Sequence, residues 1–209
     1  MSYTITKLKA ARFNTIIDYL GFEIEELTNV GAIIAGGALR TLLDEEDNVK
    51  DIDLFFTSQQ GIDSTKILLE NKDFVQVFAC PLGYLFTYIL FDEDTKKQDG
   101  SVQKNVLAKV QLITRSLYKD IDAVVTSFDL MPCCVAWDGK QLVFAEKWIR
   151  SVRKKMLYLN NLTYPVATLN RINKYKQKGY YASEGFYVDI IKEIQGKVFD
   201  GEQLALYID

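Results

Sequence analysis

The spacing of hydrophobic positions changes along the chain, and the change divides it in two. From Ile5 to Leu20, Leu8, Phe13, Ile16, Ile17 and Leu20 recur at helical intervals, and Gly21 marks a stop. "GAIIAGG" is a short apolar run closed by glycines, which predicts a buried strand. "ALRTLLD" follows as a short helix and "DIDLFF" as a second strand, and then Asp63 and Ser64 offer caps for a helix ending near Asn71. "FVQVFA", "LFTYILF" and "VLAKVQLIT" read as strands, with the charged stretch "DEDTKKQDGSVQKN" between the last two as an exposed, mobile loop. "SLYKDIDAVVTSF" has helical spacing. "DLMPCCVAWDGKQLVF" reads as two strands joined at Asp138-Gly139, with Pro132 at an edge or bulge.

After about residue 145 the pattern becomes helical. "TYPVATLNRINKYKQKGY" puts Val166, Leu169, Ile172 and Tyr175 on one face, with Pro165 in the first turn and Gly179 as a stop. The tail holds one more helix and a short terminal one. Mixed α and β first, then α, describes an α+β sheet domain over residues 1–145 and a small helical lobe over 146–209. No repeat or low-complexity tract interrupts this order.

Composition narrows the chemistry. With 48% hydrophobic and 25% charged residues, the 209-residue chain has ample material for a core. A net charge of −3 gives no global attraction to nucleic acid. The sequence contains no histidine, which removes histidine triads, histidine bases and most zinc sites, and favours oxygen-ligated cations such as Mg²⁺. Cys80, Cys133 and Cys134 have no metal-binding spacing and read as small buried residues of a reducing compartment. The N-terminus lacks a signal-peptide run, and "CPLGYLFTYILF" is too short to span a bilayer, so a soluble, intracellular protein without membrane contact is expected. Nothing in the sequence sets the oligomeric state.

Two short motifs carry the chemistry. On a strand, Asp51 and Asp53 project from one face while Ile52 and Leu54 turn to the core. Two neighbouring carboxylates repel unless a cation lies between them, and Mg²⁺ or Mn²⁺ takes such oxygen ligands. In "AGGALR", Gly36 and Gly37 between strand and helix let backbone N–H groups approach a phosphate, and Arg40 adds a charge-assisted contact. Alone, the first motif also fits a solvent-facing strand end and the second a tight turn. In sequence they describe a nucleoside triphosphate with its metal. Neither GxxxxGK[ST] nor GxGxxG is present.

"GGALRTLL…DIDL" resembles the head-domain motif of the DNA polymerase β-type nucleotidyltransferase superfamily, most of all the branch of CCA-adding enzymes and bacterial poly(A) polymerases. The resemblance implies a palm-like mixed sheet flanked by helices. It also implies that the glycine turn holds the triphosphate and that Asp51 and Asp53 bind two metal ions, with a third carboxylate from a later strand. Asp129 in "VTSFDLMPCC" stands in that order, whereas Asp122 lies in a helical pattern and Asp138 in a turn. Two-metal transfer of a nucleoside monophosphate to a hydroxyl, with loss of pyrophosphate, is the implied reaction. Thr41 stands where the family pattern has Asp, and the family's EDxxR-type base-reading motif is not evident, so the acceptor is open among RNA, protein and small molecules.

The helical lobe adds a local basic surface. Between Glu146 and Lys178 one acidic residue faces nine basic ones, including Arg171 and Lys174 at i and i+3 on one helix face. A triphosphate or a nucleic-acid backbone fits that surface, and Tyr175, Tyr180 and Tyr181 offer rings for base stacking. Two other readings are open: an inactive nucleotide- or RNA-binding module of the same fold, and an interaction protein using the loop at 92–105.

Overall fold

A computed structural model describes residues 2–4, 20, 23–43, 49, 51–91, 95–96, 102–103 and 105–198. Its strands are β1 (Ser2–Thr4), β2 (Ala32–Ala35), β3 (Ile52–Phe56), β4 (Val75–Ala79), β5 (Leu85–Phe91), β6 (Thr95–Lys96), β7 (Val102–Gln103), β8 (Val106–Ile113), β9 (Val135–Trp137) and β10 (Gln141–Phe144). Its helices are α1 (Ile24–Asn29), α2 (Gly37–Leu43), α3 (Gln59–Asn71), α4 (Ile121–Ser127), α5 (Trp148–Arg153), α6 (Pro165–Gln177) and α7 (Glu184–Gln195). Eight strands form one mixed sheet in the order β1-β10-β9-β2-β3-β8-β5-β4. The β3–β8 pair is parallel and the other neighbours are antiparallel. The expected α+β class, a mixed sheet flanked by helices, is the observed one.

Burial explains the centre of the sheet. All four residues of β2 are buried, and Ile34, Leu54, Val110 and Val124 belong to one hydrophobic cluster that extends to Trp148 and Val152 of α5. A second cluster gathers Leu130, Leu157 and Leu162 with Ile172 and Tyr175 of α6 and Phe186 and Ile190 of α7. Among the described residues, no helix is long and apolar enough to cross a membrane.

Several elements differ from the sequence expectation, each for a local reason. Helix α3 begins at Gln59 because the Ser58 hydroxyl accepts from the Gly61 N–H at 3.1 Å, ahead of the expected caps Asp63 and Ser64. Helix α4 begins only after Asp120, whose carboxylate caps it through the Ala123 N–H at 2.9 Å. The first strand of the Asp138-Gly139 hairpin shrinks to β9, because residues 131–133 around Pro132 form a 3₁₀ turn. Short strands β6 and β7 pair inside the stretch expected to be a loop. Most of the expected N-terminal helix and the short terminal helix lie outside the described residues.

Helix α6 turns Ile172 and Tyr175 inward as expected, but the rest of its inner face is different. Ala167, Thr168, Ile172 and Tyr175 are buried, while Leu169 is 46% exposed. Apolar spacing could not predict this, because the buried Thr168 is held by a polar contact described below.

Candidate active site

The side chains of Asp51, Asp53 and Phe55 point from β3 and its approach into a cleft of about 360 Å³. Ile52, Leu54 and Phe56 on the opposite face are fully buried. This is the two-residue alternation of a strand whose far face is core. Asp53 pairs across the backbone with Ala35 of β2 and Gln111 of β8. The same alternation along β8 brings Gln111, Ile113 and then Arg115 to the cleft.

Burial first, and the charge of Asp51 second, hold the Asp53 carboxyl up at about 7 against the opposing pull of Lys109 and Arg171. Lys109 Nζ lies 3.5 Å from Asp51 Oδ2, each side chain about one third exposed. The acid pair is therefore close, partly dehydrated and only in part neutralised by the protein itself. Two carboxylates in that condition fit a hard divalent cation, whose charge would relieve the repulsion that burial amplifies.

The glycine turn closes one end. Gly36 adopts φ +77°, donates its N–H to the Val135 carbonyl at 2.9 Å and accepts from the Arg40 N–H at 3.1 Å. A Cβ there would stand 3.3 Å from the Phe128 ring, so both backbone angle and space favour glycine. Gly37 lines the cleft and has no atom within 4 Å of an added Cβ, whereas Gly36 supports the turn from behind. Arg40 is only 1% exposed and packs its guanidinium 5.8 Å from the centre of the Tyr175 ring. It lies beneath the wall rather than on it.

The opposite wall is α6. Ala167, Arg171, Lys174, Tyr175 and Lys178 line the cleft from one helical face, with Thr163 and Tyr164 just before the helix. Asp129 sits at the base between the walls. Its Oδ1 accepts from the Leu130 N–H at 2.8 Å, and its Oδ2 accepts from Thr168 Oγ1 at 2.7 Å and from Arg171 Nε at 2.9 Å. The structure thus brings Asp51, Asp53, Asp129, Gly37, Arg171 and Lys174 to one cleft, but it turns Asp129 toward α6. Among the described residues, no three acidic, histidine or cysteine side chains gather as a metal cluster.

Cys133 Sγ and Tyr175 Oη are 2.8 Å apart, and burial raises both the thiol and the phenol above their ordinary ranges. A protonated thiol is no nucleophile, so Cys133 is a packing residue of the floor. Of the other tyrosines considered for stacking, Tyr180 is buried against Tyr175 with ring centres 5.0 Å apart, and Tyr181 is exposed outside the cleft lining. Arg115 is a charged cleft residue that sequence pattern did not single out. It stacks on Tyr164 at 4.3 Å and faces Tyr84 at 5.4 Å. Only the parallel β3–β8 register reveals that it shares a face with Asp51 and Asp53.

Solved structures with the same fold include CCA-adding enzymes. One in an apo form aligns with a TM-score of 0.62 at 12% identity, covering 93% of this chain and 46% of that one. Another in complex with ATP aligns with a TM-score of 0.61 at 12% identity, covering 94% and 47%. A curated relative, "Gabija anti-defense 2" of Bacillus phage SPbetaL7, is 27% identical over 195 residues, which is 91% of this chain and 43% of the relative. The chain therefore spans less than half the length of the proteins it matches. The profile described as Gad2, Gabija anti-defense 2 family protein, matches residues 8–155, most of the chain. On that match the chain belongs to the Gabija anti-defense 2 family.

Proposed function

We propose that the protein is a divalent-cation-dependent nucleotidyltransferase of the DNA polymerase β-type superfamily. It moves a nucleoside monophosphate from a nucleoside triphosphate to a hydroxyl of RNA, protein or a small molecule and releases pyrophosphate. Its phage relative carries an anti-defense name, so the transfer is read as a countermeasure to Gabija acting in the host cytoplasm. In this reading residues 1–145 form the transferase unit and 146–209 a small helical lobe.

One observation carries this reading: two strand carboxylates share a cleft with a basic helix, and Asp53 is raised to about 7 beside Asp51. Asp51 and Asp53 would hold Mg²⁺ or Mn²⁺, which lends Lewis acidity to phosphoryl oxygens and stabilises charge on the leaving group. Gly37, Arg171 and Lys174 line the same cleft, and the phosphates would lie against them. Arg171 and Lys174 would neutralise phosphate charge, and the rings of Phe55, Phe128 and Tyr175 in the lining would exclude water. The residues here bind, orient and neutralise, which is the bulk of catalysis in phosphoryl transfer.

The test supplies each labelled nucleoside triphosphate in turn with Mg²⁺ or Mn²⁺ and total cell RNA and protein. Metal-dependent labelling of one acceptor class with release of pyrophosphate is expected, and the Asp51→Asn/Asp53→Asn variant should give neither. A protein that releases no pyrophosphate with any nucleotide would contradict the reading.

A further inference from the structure

Asp129 is the expected third metal ligand, yet its contacts describe a different task. An ionised carboxylate offers about four acceptor positions. Asp129 has filled three with the Leu130 N–H, the Thr168 hydroxyl and Arg171 Nε. Its main chain is fixed as well, because its carbonyl accepts from the Asn160 N–H at 2.7 Å. The side chain is 11% exposed, against 39% for Asp51. Thr168 is fully buried on α6, and the nearer, charged oxygen of Asp129 competes for its one proton with the Tyr164 carbonyl at 3.0 Å. A buried threonine spent on a carboxylate is a structural anchor, not a feature of a site kept open for an ion.

The contact with Arg171 is made from the side of the guanidinium. It uses Nε, one of five guanidinium donors, and leaves the two terminal nitrogens with four N–H groups. Arg171 lines the cleft next to Lys174, one helical turn along. A long side chain held this way loses its freedom before a ligand arrives, so less is lost on binding.

We propose that Asp129 does not ligate the cation but positions Arg171, with Thr168 as second anchor, so that the free guanidinium edge meets the phosphates of the triphosphate. The inference rests on the proposed function and narrows it: the cation belongs to Asp51 and Asp53 alone, and the phosphates to an arginine fixed in advance.

Mn²⁺ binding by electron paramagnetic resonance and tripolyphosphate binding by calorimetry separate these roles without any turnover. In the full chain, Asp129→Asn should bind Mn²⁺ within about threefold of the wild type, while Asp53→Asn weakens it by tenfold or more. Asp129→Asn and Arg171→Ala should each weaken tripolyphosphate by about tenfold, and the double variant no further than Arg171→Ala, since residues acting through one contact are not additive. Thr168→Val, which leaves the carboxylate in place, should keep Mn²⁺ affinity and weaken tripolyphosphate several-fold. It decides the matter if Asp129→Asn does not fold. Loss of Mn²⁺ in Asp129→Asn, multiplied losses in the double variant, or unchanged tripolyphosphate binding in Thr168→Val each overturn the inference while leaving the proposed function standing. A wild-type protein that binds neither probe overturns both.

Discussion

On the β3 wall of the cleft, Asp51 and Asp53 stand two residues apart on a strand whose other face is core. On the α6 wall, Arg171, Lys174 and Lys178 ride a helix whose inner side holds Thr168, Ile172 and Tyr175. The first wall is electrostatically incomplete, since burial and Asp51 raise Asp53 to about 7 and Lys109 offsets only part of the repulsion. The second is internally satisfied, since Arg171 already has Asp129 as its partner. The contrast assigns work: the incomplete wall attracts a cation, and the satisfied wall presents fixed donors to an anion. A triphosphate bearing a divalent cation fits between them.

The largest expected effect comes from removing the incompleteness. Asp53→Asn should lower transfer by roughly 10²–10³-fold, the scale of losing a preorganised electrostatic group. The same change should stabilise the metal-free protein. A carboxyl at 3.8 when unfolded and about 7 when folded binds more protons in the folded state. Wild-type stability therefore falls as pH rises from about 4 to about 7 and stays low above that. Melting curves at pH 5 and pH 8 should show this loss in the wild type without metal, its recovery with Mg²⁺, and neither in Asp53→Asn. A variant no more stable than the wild type at pH 8 would remove the strain from the β3 wall.

Next in size is Arg40, beneath the wall. Arg40→Ala should destabilise the fold by roughly 3 kcal/mol, because it deletes a fully buried side chain and its contact with Tyr175. Denaturant titration checks this, and an effect confined to triphosphate affinity would move Arg40 from support to wall. On the α6 wall, Lys174→Ala and Lys178→Ala should each weaken triphosphate binding several-fold at low salt and less at high salt, because exposed charges are screened. Calorimetry at two salt concentrations reads this, and salt-independent losses would point to packing instead. The smallest effect belongs to Lys109→Ala. Its partly exposed ion pair with Asp51 should contribute under about 1 kcal/mol to stability, and its loss should strengthen Mg²⁺ binding slightly.

The two walls also differ in how far the sequence disclosed them. A strand reports its faces by simple alternation, so "DIDL" placed Asp51 and Asp53 on one side without further information. The glycine pair was legible in the same way, and the left-handed φ of Gly36 accounts for it. Helix α6 was visible as a helix, but its orientation was not, because the buried position is a threonine bonded across 39 residues to Asp129. Asp129 was found by its order in the chain, and its partners were invisible for the same reason. Arg115 entered through the parallel register of β3 and β8, which no local pattern encodes. Arg40 looked like a ligand contact from its place after the glycines, and only packing shows it buried under Tyr175.

The central claim is that the cleft takes a triphosphate through a cation held by Asp51 and Asp53. Calorimetric titration of a non-hydrolysable nucleoside triphosphate, with and without Mg²⁺, tests it most directly. Wild-type affinity should rise at least tenfold with Mg²⁺, and Asp51→Asn/Asp53→Asn should lose that gain while its metal-free affinity is no lower than that of the wild type, since the removed charges repel the phosphates. An affinity indifferent to Mg²⁺, or a gain that survives in the double variant, would contradict the account.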